Sequence, residues 1–209
     1  MPRPLLAALS SLMLAGCSVV GIRDGTEEPK FELVDHVGDV EIRRYGPRIA
    51  AETTIEADED AARNAGFRRL AGYIFGGNVA KASIAMTAPV AQSSENIAMT
   101  APVSQARDAT GRWTIRFFMP ASATMATLPT PVDPEVRLVA VLPETIAVLR
   151  FSGARDPVTV QARRDDLIKG LSGTRWQPQG VPSAWFYDPP WTIPFLRRNE
   201  VAVPVSNPP

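Results

Sequence analysis

Hydrophobic residues along this chain alternate with polar ones in several short runs and recur at helical spacing in two longer stretches. Phe31 to Val37 and Val40 to Tyr45 are β-rich runs separated by Gly38 and Asp39, which predicts a hairpin. Val40, Ile42 and Arg44 alternate with Glu41, Arg43 and Tyr45, so one face should pack inward. Arg48 to Ile55 continues as another extended run after Gly46 and Pro47. Asp58 then reads as a helix N-cap with acidic residues in the first turn. Phe67, Leu70, Ala71 and Ile74 form the apolar stripe of that helix, and Gly76 with Gly77 ends it through positive φ.

The segment Ile84 to Val90, IAMTAPV, recurs letter for letter at Ile97 to Val103. Two copies so close together do not make a solenoid, and each copy is expected as an extended strand at an edge or ended by its proline. Arg112 to Met119 predicts a strand, and Val136 to Leu142 with Thr145 to Phe151 a further pair. Leu128 to Pro134 reads as a surface connection between them. Asp156 followed by Pro157 predicts a second helix, with Val160, Leu167, Ile168 and Leu171 as its stripe and Gly173 as its stop. Strands at Ala184 to Tyr187 and Glu200 to Val205 finish the chain. The plan is α+β: strands, helix and strands, twice over, giving an antiparallel sheet or barrel with two helices packed outside.

Composition narrows the function. The 209 residues are 45% hydrophobic, and 22 basic side chains balance 22 acidic ones, a net charge of zero that argues against a nucleic-acid binder. Proline, at 20 residues, stands near twice its usual ~5% and implies turns and edge strands. One Cys and one His leave no internal disulfide, no Cys/His metal cluster and no Cys–His or Ser–His–Asp set beyond one built on that lone histidine. No phosphate-binding or nucleophile-elbow motif appears, and Asp165–Asp166 reads as a solvated helix face, so the chain is expected to be a binding protein rather than an enzyme.

Met1 to Cys17 has one early arginine, an apolar run from Leu5 to Ala15 too short to span a bilayer, and the ending Leu14-Ala15-Gly16-Cys17. It resembles a bacterial lipoprotein signal, with an ordinary signal peptide or a buried N-terminal helix as the alternatives. The resemblance implies a signal over residues 1–16, lipidation at Cys17, a tether over 17–30 and a domain over 31–205. It further implies an anchored protein facing the periplasm, and Ser18 favours the outer membrane.

The strings Val40-Glu41-Ile42-Arg43-Arg44-Tyr45-Gly46-Pro47, Gly66 to Asn78, the doubled IAMTAPV, Val148 to Gly153 and Tyr187 to Val201 resemble the SOUL haem-binding family, in family order and across the whole domain. The resemblance implies a distorted antiparallel β-barrel of two related halves flanked by two helices, and haem or a related tetrapyrrole as ligand. Some members carry a histidine directly before the motif tyrosine. Arg44 stands there in this chain, so His36 is only a minority candidate for an axial ligand and otherwise a surface residue. Other members hold tetrapyrrole in a cleft beside the first helix. Arg63 matches the helix arginine of that cleft, Gly72 replaces a second basic residue, and Arg68 or Arg69 could substitute. The implied cofactor-binding set is Arg63, Arg69, Phe67, Tyr73, Met86 and Met99. The methionines are otherwise packing residues, and Tyr45 and Tyr73 otherwise core. Glu200 is expected to pair with an arginine and fasten the last strand, beside an Ala202 that replaces the family's usual tryptophan.

Two other functions stay open: a receptor for another amphipathic small molecule, and an envelope structural or interaction protein whose barrel is filled by its own side chains. A cleft of roughly 300–1,000 Å³ with a basic rim favours a receptor, and a packed interior favours the structural protein.

Overall fold

The computed structural model describes residues 26–80 and 96–207. β1 (Phe31–Val37) and β2 (Val40–Tyr45) form the expected hairpin, with Gly38 at φ 58° in the left-handed region such a turn needs. β3 (Arg48–Ile55) leads into α1 (Glu59–Ile74). Asp58 caps α1 by accepting from the Ala61 amide at 2.8 Å, and Glu59 and Asp60 face the positive end of the helix dipole. There follow β4 (Asn78–Val79), β5 (Val103–Arg107), β6 (Trp113–Phe118), β7 (Thr130–Pro131), β8 (Arg137–Val141) and β9 (Glu144–Phe151). Next come α2 (Pro157–Leu171), capped by Asp156, then β10 (Gln177–Pro178), β11 (Ser183–Phe186), a 3₁₀ turn over Pro194–Leu196 and β12 (Asn199–Ser206).

The main sheet runs β1-β2-β9-β12-β11-β5-β6-β3-β8, antiparallel throughout, with β10 added beside β12; β4 and β7 pair separately. Residues 46–47 alone join β2 to β3, and residues 142–143 alone join β8 to β9, although these strands stand near opposite ends of the order. Extended chain covers only ~3.3–3.6 Å per residue, so two residues cannot cross a flat sheet of this width. The sheet therefore curls until the β3–β8 edge returns towards β2 and β9. The result is the expected α+β architecture, an incomplete antiparallel barrel.

Both helices pack on the outside. α2 covers Val40, Ile42, Ala147, Val201 and Val203, while α1 covers Ala51, Ile115 and Phe117. Gly66 sets how close α1 comes, because a Cβ there would lie 2.3 Å from Ile115 Cγ1.

Four expectations change. The buried face of α1 is Ala62, Gly66, Leu70, Tyr73 and Ile74, so Phe67 moves to the flank. Small residues at 62 and 66 let the helix settle on β6 along them, a seam that counting large apolar residues misses. Gly76 is at φ 105° as predicted, but Gly77 serves close approach instead, since a Cβ would lie 2.7 Å from the Gly72 carbonyl oxygen. β8 and β9 do not pair with each other; β8 joins β3, and β9 lies between β2 and β12. The second IAMTAPV copy is not a strand, because only Val103 enters β5. The first copy lies outside the described residues.

Candidate functional site

The inside of the curl is filled by the chain's own side chains. Two strands, β9 and β12, separate Tyr45 of β2 from Trp185 of β11 in the order, yet their rings lie 5.8 Å apart in an edge contact. Phe118 approaches Trp185 from the other side at 6.4 Å. Beside them lies a buried ionic network centred on Glu200, which is 0% exposed. Arg43 donates to both its carboxylate oxygens at 2.9 and 3.1 Å. Arg198 donates to Oε1 at 2.9 and 3.0 Å, and the Tyr187 hydroxyl donates to Oε2 at 2.6 Å. Burial alone would raise the Glu200 pKa, but the hydrogen bond and charge of Arg43, then Arg198 and Tyr187, outweigh it and hold Glu200 below the ordinary carboxylate range. The expected arginine pairing of Glu200 is thus present with two arginines. Among the described residues, Tyr45, Ile146, Val148, Trp185, Tyr187 and Ala202 pack together as one buried cluster there.

The flank of α1 offers a different surface. Register places Phe186, Val103 and Phe117 in one row across β11, β5 and β6. Arg63 Cζ sits 5.2 Å from the centre of the Phe186 ring, and Arg155 Cζ approaches the same ring at 5.5 Å. One turn along, Phe67 packs edge-on against Phe117 at 5.3 Å and remains 38% exposed. Arg63 donates to the Arg155 carbonyl at 3.2 Å and to Asp60 Oδ1 at 2.5 Å. Arg155 donates to the Asp188 carbonyl at 3.1 Å, and Arg197 to the carbonyls of Thr192 and Pro190 at 2.7 and 2.8 Å. Burial, then the charges of Arg197 and Arg63, pull the Arg155 pKa down to about 10, with Asp188 and Asp60 offsetting part of that. Three guanidinium groups so placed favour an anion. The loop between β11 and β12 adds exposed aromatic surface at Trp191 (63%) and Phe195 (72%).

The residues anticipated for a cofactor do not all converge. Arg63 and Phe67 share this flank. Arg69 turns away to Thr53 and Asp133, at 3.0 and 3.2 Å. Tyr73 is 2% exposed, in the α1 core with its hydroxyl on the Pro129 carbonyl at 3.0 Å, so as placed it offers no ring face to a ligand. Met99 is half exposed just ahead of β5, and Met86 lies outside the described residues, as does Cys17. His36 is exposed on β1. Among the described residues no three acidic, histidine or cysteine side chains are grouped as a metal site. Arg155 and Arg197 are the site residues that the pattern does not reveal. Arg155 merely precedes a helix cap in the sequence, and its approach to Arg63 depends on the curl.

The sequence profile of the SOUL heme-binding protein family matches residues 26–204. The chain belongs to this family. A curated relative, Heme-binding protein 2 of Mus musculus, is 28% identical over 203 residues, covering 91% of this chain and 94% of that protein. Among solved structures, this SOUL-family chain resembles the EcmrR C-terminal domain, with a TM-score of 0.55, 8% identity and coverage of 81% of this chain and 98% of that one. It also resembles a hydrolase from Listeria innocua, with a TM-score of 0.52, 9% identity and coverage of 80% and 92%. At such identities the likeness shows the fold alone.

Proposed function

We propose that this SOUL-family protein binds haem or a related tetrapyrrole on the open flank of α1, as a carrier, buffer or scavenger held on the cell envelope. The observation that carries the reading is the convergence of Arg63, Arg155 and Arg197 beside Phe186, next to the exposed ring of Phe67. A tetrapyrrole with two propionates needs cations at one edge and apolar surface under the ring. Family membership supports the ligand class, and the buried aromatic cluster inside the curl supports an outer face as its site. Lipidation at Cys17 would anchor the domain at the periplasmic face of the outer membrane, a reading supported by the lipoprotein-like signal ending at Cys17.

The test is a hemin titration of the full-length chain in mild detergent, followed by the Soret band. A saturable one-to-one shift is expected. Arg63→Ala should weaken it about tenfold, the scale of one lost charge-assisted hydrogen bond, and His36→Ala should leave it unchanged. Loss of the shift in His36→Ala would instead make that histidine the ligand. No saturable shift at micromolar hemin would favour the second reading, a non-catalytic envelope protein, which the self-filled interior supports.

A further inference from the structure

A cavity of about 230 Å³ lies between Glu59 at the start of α1 and Gln161 to Ile168 of α2, and neither Arg63, Arg155 nor Arg197 lines it. Arg107, Trp113, Arg164, Asp165, Ile168 and Val181 are among its walls. It falls below the ~300–1,000 Å³ of pockets for drug-sized ligands, a size nearer to one amino acid than to a macrocycle.

Its chemistry is specific. Arg164 is 6% exposed and pairs with Glu59 at 2.8 Å, yet its buried Nε–H has no acceptor. Beside it, Gln105 donates to the Glu59 carbonyl at 2.7 Å while its own buried Oε1 lacks a donor. Native interiors rarely leave such groups unpaired, and of the two only Arg164 lines the cavity, so a ligand there is one way to supply the Nε–H with its missing partner. Two further charges among the described residues have no opposite charge of their own. Arg107 lies 5.7 Å from the Trp113 ring centre and uses only its Nε, on the Gly111 carbonyl at 3.2 Å. Asp165 accepts only from Gln161, at 2.9 Å. Besides the Arg164–Glu59 pair, the walls hold one further cation and one further anion, and with the unused Arg164 donor and an aliphatic wall of Ile168 and Val181 they match a zwitterion with a branched side chain.

We propose that this cleft between the helices is a second ligand site, selective for a small aliphatic α-amino acid. The carboxylate would meet Arg107, the ammonium Asp165, and the side chain Ile168 and Val181. The site is independent of haem binding, so either proposal can fail alone.

Calorimetric titration of the full-length chain in mild detergent with L-leucine tests it. Saturable one-to-one binding is expected, weakened about tenfold or more by Arg107→Gln. The same skeleton without the ammonium, 4-methylpentanoate, should bind more weakly and ignore Asp165→Asn, whereas leucine should lose affinity in that variant. Val181→Trp should fill the cavity and abolish binding. All three positions are exposed, and unchanged thermal unfolding and hemin titration would show the fold intact. The proposal is overturned by an absence of saturable heat at millimolar leucine, by equal binding of leucine and 4-methylpentanoate, or by binding that persists in Val181→Trp.

Discussion

Glu200→Ala is expected to destabilise the domain by about 3–5 kcal/mol, the usual cost of removing one partner from a buried ionic group. Arg43 would be left buried with only Glu41 at 2.7 Å as counter-charge, and the Tyr187 hydroxyl would lose its acceptor. A loss of that size is a large share of the ~5–15 kcal/mol that holds a typical domain together. Glu32→Ala is the control, because its pair with Arg44 is exposed on both sides and worth less than about 1 kcal/mol. Urea unfolding of the two variants measures the contrast. The folded pKa of Glu200 is lowered, so its contribution is complete above the ordinary glutamate value of about 4.3 and disappears as pH falls through the lower folded value. Wild type should therefore lose stability on acidification more steeply than Glu200→Gln. An equal slope would mean that the network does not govern acid unfolding.

The second large effect concerns the ligand. Replacing both Arg63 and Arg155 by Ala should weaken hemin about a hundredfold, since each charge-assisted hydrogen bond to a propionate is worth about 1.5–3 kcal/mol. The two losses need not add, because Arg63 donates to the Arg155 carbonyl and its charge helps lower the Arg155 pKa. Asp60→Asn points the other way: it frees the Arg63 guanidinium from its carboxylate and should tighten hemin binding. Both effects are partly exposed to solvent and should shrink with added salt. A double variant that binds hemin as tightly as wild type would remove the arginine cluster from the account.

Local chemistry was legible in the sequence wherever neighbours in the chain decide it. The turn at Gly38, the caps at Asp58 and Asp156 and the limits of both helices follow from nearby residues and stand as expected. Long-range pairing was not legible. β8 and β9 look like a hairpin because they are adjacent in sequence, but the curl sends them to different partners. Burial of charge was hidden for the same reason. Arg43 shares a strand face with Glu41, and Arg164 falls among the stripe residues Val160, Leu167 and Leu171 of α2; each is buried because an opposite charge, Glu200 or Glu59, reaches it from a distant element, whereas the arginine pairing of Glu200 was anticipated. The candidate site followed this division. Arg63 and Phe67 could be placed together from helical spacing, whereas Arg155 and Arg197 reach them only through the folded sheet and its loops. Tyr73 and Arg69 share the helix but face elsewhere, which spacing from Arg63 did not reveal.

The most direct measurement is to locate hemin on the protein. Ferric haem is paramagnetic and broadens nearby amide signals, so a spectrum of the isotopically labelled full-length chain with and without hemin maps the contact. Broadening confined to Arg63, Phe67, Arg155 and the loop from Trp191 to Arg197 is the predicted result. Broadening centred on Tyr45, Trp185 and Tyr187 would place the ligand inside the curl and contradict the account.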